Sequence, residues 1–219
     1  MRTQLSLVEL LSVFTRIPGA IRRVRERRAH RRLLRDTPPY SLGELPEGAV
    51  GKITGRVRPF DKRLLEAPVS GRLCVYYDVA IDALAGESML RVLATEQEGM
   101  TFRLDDAGHH AVVDPAHAQV STGIDCVVMT KLTALDARQR ALLARHGLIG
   151  KRIMFADQLR LRESILEADE VVTVIGCGVS EPDPDAPPAG GYREDRGSRL
   201  RLTGTARYPL IISDDPRAR

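Results

Sequence analysis

The side chains best suited to chemistry lie together between positions 105 and 117. His109, His110, Asp114 and His117 are the donor types of a zinc site, and Asp105-Asp106 offers oxygens to a harder cation. The spacing argues against a shared ion. Neighbours in an extended segment point to opposite faces, so His109 and His110 do not readily meet one metal. Asp105-Asp106-Ala107-Gly108 has the composition of a turn. The stretch reads as a solvated hairpin tip, and neither a metal nor a cofactor is expected. Cys74, Cys126 and Cys177 stand far apart, with no C-x-x-C pair. They read as small apolar residues of a chain kept in a reducing compartment. No nucleophile elbow, phosphate loop, dinucleotide-binding glycine pattern or H-E-x-x-H occurs. No catalytic residue is assigned, and the reading leans away from an enzyme.

The strongest chemical signal is charge. Residues 1–35 hold ten Arg against Glu9 and Glu26, a charge of +8. The whole chain carries +4, so the rest carries −4. A basic arm on a mildly acidic body is suited to an anionic surface. Arg22, Arg23, Arg25, Arg27, Arg28, Arg31 and Arg32 are the residues assigned to that contact. Just before them, Leu5–Phe14 is the most apolar run, too short to span a bilayer and interrupted by Glu9. It lacks a small-x-small cleavage pattern, so export is not expected. Apolar burial plus about 1 kcal/mol for each Arg near an anionic leaflet would make a two-signal peripheral anchor. Nucleic acid is the alternative partner. The arm has no interleaved aromatic residues for base stacking, so such binding would be non-specific.

These features need elements to carry them. Residues 3–17 read as an apolar helix, Pro18-Gly19 as a break, and 20–35 as a basic helix stopped by Asp36-Thr37-Pro38-Pro39. From Val50 the period becomes two. Ile53 and Val57 share one side; Lys52, Thr54, Arg56 and Arg58 share the other; Gly55 marks a bulge or a close backbone approach. "RLCVYYDVAID" reads as one strand, with Leu73, Val75, Tyr77, Val79 and Ile81 on one face and Cys74, Tyr76, Asp78 and Ala80 on the other. Residues 100–114 predict a hairpin, and "DCVVMTKL", "LRLRESI", "EVVTVIG" and the C-terminal "RLRLTGTARYPLIIS" predict further strands. One helix interrupts them around residues 133–147, with a capping-box spacing at Thr133 and Asp136 and Gly147 beyond its end. The Pro-, Gly- and acid-rich stretch 180–198 reads as a mobile loop. The expected fold is mainly β (α+β): a barrel- or sandwich-like domain of eight to ten strands with one inserted helix, over residues 37–219. An N-terminal helical basic arm, 1–36, precedes it.

Several of these segments resemble the GIDE family, the β-rich or BAM domain that stands beside the membrane in RING-bearing ubiquitin ligases. The matching motifs are Asp36-Thr37-Pro38, the strand from Glu47 to Val57, and the P-x-S-G-x-x-C-V-Y-Y segment from Pro68 to Tyr77. "FRLDDAG" with "AVVDP" and "RLRES…ADEVVTVIG" follow, with Ala168 where a turn glycine is usual. The resemblance covers about residues 33–214. It implies a β-rich module close to a membrane that binds protein. The ligase name does not come with its chemistry, because a RING holds two zincs with seven or eight paired Cys/His ligands and three scattered cysteines cannot do so.

Together these readings lead to one expectation. The chain is a non-catalytic, membrane-proximal protein-binding module, cytoplasmic and peripheral at the inner face of a bacterial membrane. Arg56, Arg58, Tyr76 and Asp78 are its candidate contact residues, taken as exposed strand positions. Its protein partner is not identified by the sequence. A nucleic-acid-associated β-barrel is the alternative.

Overall fold

The computed structural model describes residues 33, 35–61, 63–85, 89–149, 158–183, 198–205 and 208–218. The chain divides into two units, 1–37 and 38–219. In the first, Leu33, Arg35 and Asp36 are helical, and the Thr37 amide donates to the Leu33 carbonyl at 3.0 Å. The helix therefore stops where Pro38 follows, as the proline break predicts. The Arg residues from 22 to 32 lie outside the described residues.

The second unit is mainly β. Its strands are β1 (Val50–Pro59), β2 (Leu65–Glu66), β3 (Leu73–Cys74), β4 (Tyr76–Ala85), β5 (Met89–Gly99), β6 (Phe102–Asp106) and β7 (His109–Val113). β8 (Gln119–Ser121), β9 (Cys126–Thr130), β10 (Gln158–Leu166), β11 (Val171–Pro182), β12 (Ser198–Thr203) and β13 (Ile211–Ser213) complete them. The mainly β expectation holds, and among the described residues there are thirteen strands, four of them only two or three residues long. The strands beyond the expected number come from the bend at Val75, from short strands such as β2 and β8, and from β5, which the sequence reading did not pick out.

Five strands close a barrel. They run β1-β6-β7-β12-β11, and β11 returns to β1 over Val50↔Cys177 to Arg56↔Val171. β13 and β8 extend the same sheet beyond β11. Closure follows from alternation. Ile53 and Val57, Phe102 and Leu104, Ala111 and Val113, and Val172 and Val174 point inward and form one buried cluster. Each of these side chains larger than alanine contributes roughly 1.5–3 kcal/mol by leaving water. Gly55 makes a close approach and not a bulge, since its register with β11 runs unbroken. A Cβ there would meet the Asp105 carbonyl at 2.7 Å. The β6–β7 turn is two residues long, Ala107 at φ 47 and Gly108 at φ 87, the positive values that a tight hairpin demands.

The second sheet, β5-β4-β10-β9, is antiparallel. One face packs on the helix α1 (Ala137–Arg145) through Leu135, Leu142, Leu143, Val79, Ile81, Leu159 and Leu161. Asp136 caps α1 and Gln139 completes the box, so the Thr133–Asp136 spacing was one box too early. Thr133 sits instead in a 3-10 turn, Leu132–Ala134.

Two further expectations are corrected. The 72–82 segment is not one strand, because the chain bends at Val75. The bend lets Val75 and Tyr76 serve the barrel core while Cys74 and Tyr77 serve the second core. Leu73, expected inside, is 58% exposed. The expected loop 180–198 is shorter at both ends, since β11 runs to Pro182 and β12 starts at Ser198. Residues 184–197 lie outside the described residues.

Candidate functional site

Arg56 and Arg58 leave β1 on its outward side, where β6 brings Arg103 and Asp105 alongside in register. The Arg56 guanidinium donates to the Asp169 carbonyl at 2.5 Å, and Arg58 pairs with the Asp169 carboxylate and with Asp105 at 3.5 Å. Arg103 holds Asp105 at 2.8 Å. Arg56, Arg58, Arg103, Asp105 and His109 line a groove of about 340 Å³. Asp106 accepts from the Leu42 amide at 3.0 Å, and Asp114 from the Ala116 amide at 3.0 Å. The carboxylates at the hairpin therefore hold backbone and arginine. Among the described residues no three His, Cys, Asp or Glu side chains form a metal-holding group.

Tyr76 and Asp78 are not part of that groove. Tyr76 is 4% exposed, within the barrel core cluster, so it cannot be the exposed contact expected from alternation. Asp78 is exposed on β4, on the outer face of the second sheet opposite Ser164 and Gln97.

A second cleft, about 600 Å³, brings together residues far apart in sequence: Tyr77, Glu96, Glu98, Arg138 and Arg145. The Tyr77 hydroxyl lies 2.8 Å from Glu96 and 2.7 Å from Glu98. Arg145 and His146 reach Glu96 at 2.7 Å and 2.8 Å. Burial pushes the Tyr77 phenol upward, and its two carboxylate neighbours push it further. Burial works to raise Glu96, but bonds from Arg145, Tyr77 and His146 outweigh it and hold the carboxyl below its usual range. The cluster is a connected ion-pair network: the phenol stays protonated and shares its one proton between Glu96 and Glu98, and Glu96 stays ionised beside Arg145 and His146. The sequence reading missed it because β4, β5 and α1 each contribute isolated residues.

Two buried carboxylates sit elsewhere. Glu163, 1% exposed on β10, accepts from the Val69 amide at 2.6 Å and the Ser70 amide at 3.0 Å. Cys74, beside it, is buried, and burial with the Glu163 charge pushes its thiol up to about 12. A thiol held protonated is a poor nucleophile. Asp82, fully buried, receives Arg160 at 3.0 Å and Arg162 at 2.8 Å on the outer face of the second sheet.

Around these guanidiniums the outer face exposes three apolar side chains among the described residues. Val92 on β5 is 41% exposed, and Val127 and Met129 on β9 are 53% and 49% exposed. Among the described residues no strand pairs with the second side of β9.

Comparison with family models, curated proteins and solved structures gave no match.

A pH dependence follows from Glu170 and Asp214. Burial, then mutual repulsion with Asp125 and neighbouring acids, raises both carboxyls, although Glu170 accepts from the Glu167 amide and Asp214 from the Gly123 amide. A folded-state value above the unfolded one means that their stabilising contribution is complete below the unfolded value. It is lost as pH rises through the folded value. The Glu170→Gln/Asp214→Asn double variant keeps both acceptors and removes both charges. It should melt a few degrees above wild type at neutral pH, and the gap should close near pH 4, measured by thermal denaturation at both pH values. An equal gap at both would remove charge as the cause.

Proposed function

We propose that this chain is a non-catalytic module that holds a protein partner beside an anionic membrane surface, at the inner face of the cytoplasmic membrane. The observation that carries the partner half is the outer face of the β5-β4-β10-β9 sheet. Antiparallel sheets with one solvated face normally alternate apolar-in and polar-out. Here Val92, Val127 and Met129 break that rule on the face opposite α1. Exposed apolar side chains around a locked ion cluster suit a protein interface. The resemblance to the GIDE family points the same way. The ionisable groups in the cleft at Tyr77 are bonded to each other, which favours binding over turnover. The arginines on the barrel face Asp105 and Asp169, which leaves little net charge there for nucleic acid.

The membrane half rests on the arm's charge of +8. Among the described residues no helix is long and apolar enough to cross a membrane. Replacing Arg27, Arg28, Arg31 and Arg32 with serine removes four charges, worth about 1 kcal/mol each at an anionic surface. Binding to phosphatidylserine vesicles should fall by two orders of magnitude or more, and a salt titration on DNA should show no comparable loss. Unchanged flotation with vesicles would sink the membrane half. The partner half is tested by cross-linking in cells with wild type against Val92→Lys, and a partner captured equally by both would show that the face is not the interface.

A further inference from the structure

The exposed apolar side chains are not spread evenly. Of the nine large ones among the described residues, four lie between positions 124 and 132: Ile124, Val127, Met129 and Leu132. They flank or sit on β9, whose second edge no strand covers among the described residues. Edge strands in native proteins are usually guarded by proline, by charge within the strand, or by a covering element. "CVVMT" has no proline and no charge. Its charges stand just outside it, Asp125 before and Lys131 after, and both are exposed.

We propose that β9 pairs antiparallel with β9 of a second copy of this chain, about a two-fold axis at Val128. This names the occupant of one edge of the proposed binding face, and it rests on reading that face as an interaction surface. The argument is the symmetry of the sequence about Val128. Antiparallel pairing joins residues of like parity, because alternate residues turn their amides to the same edge. With the axis at Val128, Val127 lies opposite Met129 of the second copy, Asp125 opposite Lys131, and Ile124 opposite Leu132. Apolar meets apolar and acid meets base, each pair occurring twice. The neighbouring registers lose this. An axis at Val127 puts Asp125 against Met129 and Lys131 against Gly123. An axis at Met129 puts Lys131 against Val127 and Asp125 against Thr133.

The four residues 125, 127, 129 and 131 also share one exposed stripe, while 126, 128 and 130 are half-buried toward the α1 side. Lys131 is extended, at φ −103 and ψ 156, so the strand geometry reaches it. Its side chain makes no cap bond. Asp125 uses one oxygen on the Ile165 amide at 2.9 Å. Pairing two copies would join two four-stranded sheets into one of eight and place two arginine arms in one assembly, which raises avidity for an anionic surface without any new contact.

The test uses the full chain. Sedimentation velocity across a micromolar to sub-millimolar series should show a monomer–dimer equilibrium. A zero-length carbodiimide cross-link followed by peptide mapping should join Asp125 to Lys131. Within one chain these lie six residues apart along a strand, about 20 Å, too far for such a link, so it reports on two copies. Lys131→Glu sets like charges opposite each other twice and should weaken the dimer about tenfold and abolish the link. Met129→Lys, at a solvent-facing position, should leave the melting temperature near wild type and give a monomer. A wild type that is monomeric throughout, or a dimer indifferent to both substitutions, overturns the pairing. A monomer that still captures a partner in a Val92-dependent way overturns the pairing alone, whereas a β9 dimer with no such partner leaves the pairing standing and removes the partner reading.

Discussion

Glu163→Ala lowers the unfolding free energy by about 3–5 kcal/mol, the largest single-residue effect expected in the second sheet. The carboxylate is buried on β10 and accepts from two backbone amides, Val69 and Ser70. Removing it strands both donors, and each unpaired buried donor costs about 1–3 kcal/mol. The Pro68–Ser70 turn then loses the group that holds it against the sheet. Glu163→Gln is not conservative here. Its oxygen replaces one acceptor, but its amino group would face the second N–H, donor against donor. About 2 kcal/mol is the expected loss, between wild type and alanine. Urea denaturation of the three proteins checks the order. Glu163→Gln indistinguishable from wild type would mean that the paired amides do not depend on a two-oxygen acceptor.

The second large effect is an asymmetry at Asp82. Its side chain is fully buried, while those of Arg160 and Arg162 are 30% and 27% exposed. Removing the acid frees two cations that water can reach, a loss of about 1 kcal/mol. Arg160→Ala/Arg162→Ala leaves a buried carboxylate without a counter-charge, and about 3–5 kcal/mol is expected. Adding Asp82→Ala to that pair should recover most of the loss, because the stranded charge is then gone. Chemical denaturation of the single, double and triple variants reads the coupling directly. A double variant no more costly than Asp82→Ala alone would refute the account. The two arginines also lie beside Val127 and Met129 in register, so the triple variant changes the charge of the proposed binding face as well as its stability.

The site and the fold were legible to different depths. The β6–β7 hairpin was readable because its signal is local, whereas β5 was not picked out. Phe102 and Leu104 alternate with polar residues, a two-residue turn follows, and Ala111 and Val113 return. The same locality failed at Tyr76. A period of two assumes one core on one side, and the bend at Val75 gives consecutive residues to two cores. Arg56 and Arg58 fell on the expected outward side of β1, but nothing in their spacing announced Asp169, more than a hundred positions away. The cleft cluster at Tyr77 and the acceptor role of Glu163 were invisible for the same reason. Each depends on a pairing between distant strands, and register there is set by burial of whole faces and not by neighbouring letters.

The sequence by itself determined the β character of the body, the inward sides of β1, β6 and β7, the helix between β9 and β10, and the charge contrast between arm and body. These follow from periodicity, turn chemistry and summed charge, which act over a few residues or need no geometry at all. Only the tertiary structure decided that β1 meets β11 to close the barrel, that Tyr76 lies inside, and that Glu163 and Asp82 hold their distant partners. It also decided that β9 is left at an edge among the described residues, with Val127 and Met129 facing outward. Those outcomes turn on which strands become neighbours, and that choice is made by the free energy of burying two apolar faces together, a quantity no single segment carries.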